Sequence, residues 1–255
     1  MSTDYRLPDG TYLFNSRFNQ RAIKFSLAHR YKKLQNIFRY QYHFENPGIP
    51  GHAHVINPAE INILDITSSS VDLTDDYKSS VPYQLVNNNL FTFQSNYLTN
   101  DLKLSFHLGY FINNLKEHEK WTRPDFDISI KHLQLSPNIR YGVDKFTFNI
   151  GSQISTLDNV NNQTDRLVPD ASSLSIGPYV IVDFEDDNFG FNYGVRYDYK
   201  SLESKDQTFD INYENKFSNT SFSAGIFYKY FDNTLRLTYS GAYRAPHFSE
   251  LFSDG

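Results

Sequence analysis

The chain has 255 residues, with 24 Lys and Arg against 29 Asp and Glu, and a formal net charge of −5. That balance, without any long Lys/Arg cluster, carries no electrostatic footprint for nucleic acid. Cysteine is absent, which removes disulfide scaffolds and thiolate metal sites, and no run approaches the roughly 18 to 20 apolar residues that a membrane helix needs. Yet 22 Phe and 19 Tyr make the chain 16% aromatic at a mean hydropathy of −0.55. The rings must therefore be segregated on one face of an otherwise polar structure, and a sheet with one face in lipid and one in water meets that demand.

Taken in chain order, the period is 2 almost throughout. A first strand is predicted over Arg21 to Tyr31, and a second where Phe38, Tyr40, Tyr42 and Phe44 alternate with Arg39, Gln41, His43 and Glu45. A long connection from Glu45 to Asn88 follows. Its Gly51-His52-Ala-His54 stretch places two imidazoles on one side of an extended segment, which is metal-ligand chemistry in principle, although two exposed loop histidines are the simpler reading. The third strand is predicted over Asn89 to Leu98. The fourth is the cleanest, with Leu102, Leu104, Phe106, Leu108, Tyr110 and Ile112 on one face and Lys103, Ser105, His107 and Gly109 on the other.

Further strands are predicted over Ile128 to Tyr141, Lys145 to Gln153, Ser173 to Glu185, Phe189 to Tyr199, Ser221 to Tyr230 and Leu235 to Tyr243. Pro137 and Pro178 fall inside two of them and predict a bulge or a displaced boundary, since proline cannot donate to the ladder. Connections alternate strictly. Short turns at 32–35, 99–100, 142–144, 186–187 and 231–234 are separated by long segments at 45–88, 113–127, 154–172 and 200–220. Sorting connections by length is the arrangement of a bacterial outer-membrane barrel, with turns toward the periplasm and long loops outside. The predicted fold class is all-β: a transmembrane antiparallel β-barrel.

The last strand runs into Gly241-Ala-Tyr243-Arg244-Ala245-Pro246-His-Phe248-Ser-Glu250-Leu251-Phe252. This resembles the G-x-[FY]-R-A-P-x-F-x-E-L-[FY] signature of TonB-dependent outer-membrane receptor barrels. Gly194-Val-Arg196-Tyr-Asp198-Tyr199 resembles the family's G-x-R-[YF]-D strand, and Arg166-Leu-Val-Pro-Asp170 has a similar look. The resemblance covers nearly the whole chain from Tyr5 onward and implies a barrel of about 22 strands around a plugged lumen. Residues 1–255 are then expected to be a partial barrel domain of about ten strands, its membrane part spanning about 15 to 245, with the plug domain, the signal peptide and the C-terminal strands outside this sequence.

What the resemblance implies about function is import of a scarce nutrient across the outer membrane, a ferric siderophore or other iron complex above all. The implied partners are outer-membrane lipid, a TonB complex acting through the plug, and a small-molecule or metal-chelate ligand, with no cofactor. Among charges expected to face the lumen, Arg39, His43, Glu45, Arg196, Asp198 and Arg244 are the candidate substrate-binding residues. Arg39, Arg196, Asp198 and Arg244 are expected in the outer half, and the alternative is that most such charges pair with wall neighbours or with the plug. Arg244 and Glu250 can equally tie the strand end to its loop. No nucleophile elbow, zinc-binding helix or phosphate loop is present in the sequence, which argues against an enzyme. Two other classes share parts of the pattern: a complete ten-stranded outer-membrane protease barrel, and a soluble β-sandwich carbohydrate-binding module.

Overall fold

Alternation of apolar and polar residues builds one antiparallel meander. The computed structural model describes residues 4–6, 8, 10, 12–13, 15–50, 67–68, 79, 81–119, 122–163, 168–206 and 211–252. Ten strands form a single sheet: β3 (Phe18–Tyr31), β4 (Leu34–Pro47), β6 (Tyr83–Leu98), β7 (Leu102–His118), β8 (Phe126–Val143), β9 (Phe146–Asn161), β10 (Ala171–Glu185), β11 (Phe189–Asp206), β12 (Ile211–Tyr230) and β13 (Asn233–Gly241). Each pairs with its chain neighbour, so β3 and β13 are the edges and are not paired with each other. Short strands β1 (Tyr5–Arg6), β2 (Tyr12–Leu13) and β5 (Thr67–Ser68) form a separate small sheet, which the sequence pattern did not reveal. A five-residue helix, α1 (Phe248–Phe252), follows β13.

The register places most of the rings on one face. Phe25, Tyr40, Phe91, Tyr110 and Leu133 form one directly paired row. A second row crosses all ten strands, from Tyr31 through Leu34, Tyr97, Leu104, Ile139, Ile150, Val180, Val195 and Phe222 to Gly241. It starts beside the first turn and arrives at the far end of β13. A stagger of about eight residues over nine strand steps corresponds to a tilt of order 30°, with ~3.4 Å per residue and ~4.8 Å per strand. Such a stagger belongs to the wall of a barrel. Pieces of a β-sandwich would instead stack two sheets face to face, and the described residues form one large sheet without a second large one against it.

Two-residue turns close three hairpins, and their first residues, Lys32, Asp144 and Phe231, have φ of 51°, 51° and 49°. Positive φ there suits the twist of the flanking strands. At the opposite, loop-side ends the strands are longer than the periodicity suggested. The connections expected at 113–127, 154–172 and 200–220 are largely strand, since β7 reaches His118, β8 begins at Phe126, β9 reaches Asn161 and β11 reaches Asp206. Polar groups sustain the ladder there: Gln84 donates to Glu117 at 2.7 Å, Asn113 to Asn88 at 2.6 Å, and Lys116 pairs with Asp127 at 3.0 Å. Conversely β13 stops at Gly241, short of Tyr243.

The two prolines do not make bulges. Leu135 faces Ile154 and Asn138 faces Gly151, and Ile176 faces Tyr199 while Tyr179 faces Arg196. The register is unchanged across each gap. Proline removes one ladder donor, and the paired residues on either side hold the alignment without an inserted residue.

Before β3, Asp4 accepts hydrogen bonds from Arg17 and pairs with it at 2.8 Å, and Asn15 donates to the carbonyls of Pro82 and Ile49. A Cβ on Gly48 would stand 2.2 Å from the Asn15 carbonyl oxygen, so only glycine lets this segment close onto the loop-side ends of β4 and β6.

Candidate functional site

The polar face concentrates its interactions on the loop-side half of β9 to β12, where the segment after β13 folds back. Phe248 is 3% exposed and packs with Ala171 and Leu202, the latter fully buried, while Leu157, Val168, Tyr213 and Phe217 surround them. The Lys200 ammonium donates to the Pro246 carbonyl at 2.7 Å. Asn159 and Asn161 donate to the carbonyls of Pro169 and Val168, and the Asp170 carboxylate accepts the Asn161 amide at 2.7 Å. Residues 166–167 of the motif read in this loop lie outside the described residues.

The signature itself is cross-linked. Arg244 donates twice to Glu250, at 3.0 and 2.6 Å, and the His247 amide donates to the same carboxylate at 2.8 Å. The guanidinium, and after it the amide, hold the Glu250 carboxyl down to about 2. Burial, together with the nearby Lys200 ammonium, pushes the His247 imidazole below its ordinary value. Gly241, Tyr243, Ala245, Pro246 and Leu251 supply the backbone path around this ion pair, with Tyr243 and Leu251 exposed and Phe252 ending α1.

Below this latch lies an open trough of about 450 Å³ whose lining includes Gln153, Tyr179, Arg196, Ser221, Ser223 and Ser240. Its polar side chains are held in place. Arg196 donates to Asp198 at 2.7 Å and to Gln153 at 2.9 Å, and Tyr179 accepts from Asn138 at 2.9 Å. Both large side chains lie over glycines of the neighbouring strands: a Cβ on Gly177 would be 2.1 Å from an Arg196 nitrogen, and one on Gly151 would be 2.6 Å from the Tyr179 oxygen. The trough offers an oriented guanidinium, a phenol, an amide and three hydroxyls, a set suited to hydrogen-bonding an oxygen-rich ligand.

The predicted site residues fall into two groups. Arg196, Asp198 and Arg244 lie around the trough and latch. His43 and Glu45 pair at 3.2 Å on β4, with Gln20 also touching His43, and six strand steps, on the order of 29 Å, separate them from β11. Arg39 faces Ser26 and Thr92, five positions from the turn-side end of the 14-residue β4, and Arg196 stands seven positions from the turn-side end of the 18-residue β11, so neither lies in the outer half, whereas Asp198 stands just past the middle of its strand. The count from the turn decides this, because β4 extends to Pro47. His52 and His54 lie outside the described residues, and among the described residues no group of three or more His, Asp or Glu side chains could hold a metal ion. Lys200, Gln153, Tyr179 and Gly177 were missed by sequence reasoning. Lys200 continues the Arg196, Asp198 alternation and was legible in principle, whereas the others depend on cross-strand register.

A staggered, one-sheet antiparallel wall with an apolar outer face and a polar, latch-bearing inner face defines a transmembrane barrel-type protein. The sequence matches the family model described as TonB dependent receptor-like, beta-barrel, over residues 2–255, and the chain belongs to that family. No curated protein matches it by sequence. Among solved structures it is similar to a protein titled copper transporter OprC, with TM-score 0.72, 12% identity and coverage of 98% of this chain and 40% of that one. It is also similar to the FrpB iron transporter of Neisseria meningitidis, with TM-score 0.70, 12% identity and coverage of 96% and 39%. A third is the ferric-catecholate import receptor Fiu of E. coli K12 in its open form, with TM-score 0.64, 12% identity and coverage of 90% and 48%. At these identities the likeness concerns the fold, and the chain spans less than half the length of each.

Proposed function

We propose that this chain is part of the lumen wall of an outer-membrane TonB-dependent receptor that imports a scarce nutrient, with a ferric siderophore or other iron complex as its cargo. On this reading residues 1–255 are a partial barrel domain, and a plug domain that engages the TonB complex belongs to the same receptor. The observation that carries the reading is the ten-strand staggered sheet whose one face is an apolar band and whose other face bears the signature latch above a polar trough. Membership in a receptor family supports it, and the similar folds include an iron transporter and a ferric-catecholate receptor by title. The ligand enters from the loop side, meets the trough around Arg196 and Tyr179, and no bond is made or broken in it.

Two measurements test this. In intact cells an added protease is expected to cut between Glu45 and Val86 and to spare the Asp186-Asp187 turn, because the turns face the periplasm. Cleavage at that turn in sealed cells inverts the orientation. Uptake of radiolabelled ferric siderophore by cells carrying the gene, against its deletion, tests the cargo. Equal uptake in both sinks the iron assignment while leaving the wall in place.

A further inference from the structure

The trough is lined by neutral groups but for one. Of the described residues around it, Arg196 alone is ionic, and its charge is cancelled in place: the guanidinium lies over Gly177 and donates to the Asp198 carboxylate at 2.7 Å. The cations on the rim are also committed. Arg244 is held twice by Glu250, and Lys200 donates to the Pro246 carbonyl at 2.7 Å, beneath the segment that Phe248 pins.

What the trough does offer is donors. Asn149 and Tyr179 accept from Asn138, and Gln153 accepts from Arg196 at 2.9 Å. With those acceptors occupied inside the wall, the hydrogens left over are the amide N–H groups of Asn149 and Gln153 and the Tyr179 O–H, joined by the hydroxyls of Ser221, Ser223 and Ser240. Neutral donors around a space of about 450 Å³ suit a small molecule whose outer atoms are acceptors. An anionic ligand would find no uncompensated cation on this lining to replace its water, and it would meet the Asp198 carboxylate.

We infer that the trough takes an uncharged ferric chelate of the hydroxamate class, an inference that rests on the iron-complex reading above. Charge selects the class. A hydroxamate is a monoanion that binds iron(III) through two oxygens, so three of them neutralise the ion and leave oxygen acceptors on the outside of the complex. Three catecholates, each doubly ionised, leave a triple negative charge, which calls for unpaired cations around it. Asp198 is then a specificity residue: by cancelling the Arg196 charge it turns a receptor for anions into a receptor for neutral acceptors.

The test uses the intact receptor in outer-membrane vesicles, with vesicles from the deletion strain as the blank, and two radiolabelled iron(III) complexes: the uncharged trihydroxamate ferrioxamine E and the triply anionic tricatecholate of enterobactin. Ferrioxamine E is expected to bind severalfold more tightly, with an affinity that holds when added 1 M salt shortens the screening length from ~10 Å to ~3 Å. Tighter binding of the tricatecholate overturns the inference while the iron reading stands, and so does a trihydroxamate affinity that falls severalfold with salt.

Asp198→Asn releases the Arg196 charge into the trough, so this variant should bind the tricatecholate severalfold more tightly than the wild type does, and in a salt-dependent way. A heat-modifiable, and so folded, variant whose tricatecholate binding does not rise also overturns the inference. If the variant fails to fold, the preference of the wild-type receptor and its salt response decide. Binding of neither complex, with equal radioiron uptake by cells with and without the gene, removes the iron reading and the inference with it, an outcome distinct from a preference for the wrong chelate.

Discussion

Phe248 packs on Leu202, an apolar contact made on the polar face of the sheet, where a side chain from beyond the end of β13 covers a strand two places away. A contact of that kind holds the loop base inward over the trough. Leu202 has no exposed surface, so its burial depends on the ring above it.

Phe248→Ala should therefore release the latch without unfolding the sheet. Deleting a buried ring costs about 3 to 5 kcal/mol in a closed core, and here the loss is bounded by the local docking energy of residues 242–252. Hydrogen exchange at those amides should accelerate while β11 amides stay protected. Leu202→Ala should give the same pattern, and the double variant less than the sum of the two, since they share one contact.

The faces differ sharply within one strand. Phe106 lies in the apolar band opposite Pro137, whereas Ser105 faces Asn96 and Asn138. Phe106→Arg in the full receptor should cost about 2 to 4 kcal/mol near the bilayer midplane and Ser105→Arg almost nothing. Denaturant titration in bilayers checks this, and equal tolerance at the two positions removes the membrane assignment.

Two glycines separate function from stability. At Gly177 an added Cβ meets the tip of the Arg196 side chain, which can swing away, but at Gly151 it meets both the Tyr179 ring and the Pro137 carbonyl at 2.9 Å. Gly151→Ala should destabilise by about 1 to 3 kcal/mol, as overpacking against fixed atoms does. Gly177→Ala should leave stability nearly unchanged yet reduce ligand uptake as Arg196→Ala does, and the double variant should be no worse than either alone.

The Arg244–Glu250 link should be lost only in strong acid. The Glu250 carboxyl sits at about 2 against an ordinary 4.5. A folded value below the unfolded one means that the link contributes fully above 4.5 and fades as pH falls toward 2. Exchange of the His247 amide, corrected for its intrinsic pH dependence, should rise over that window. Glu250→Gln should expose the amide at every pH and flatten the curve.

Strand identity was legible because lipid on one side and water on the other impose a period of 2 that survives in any single strand. Leu102 to Ile112 and Phe189 to Tyr199 could be read without neighbours. Strand ends on the loop side were not, since above the bilayer the pairing runs through groups such as Gln84 with Glu117 and Asn113 with Asn88, which carry no hydropathy contrast. Pro137 and Pro178 suggested bulges for a sound local reason, and the register overrode it.

The amino-acid sequence by itself determined the class: segregated aromatics, alternation and the signature from Gly241 to Phe252 are local properties of a chain that must face lipid. Tertiary structure decided the site. That Arg196 lies across Gly177 to reach Gln153 and that Phe248 finds Leu202 are consequences of register and stagger. Register is set by the summed pairing of ten strands, so no single segment contains it.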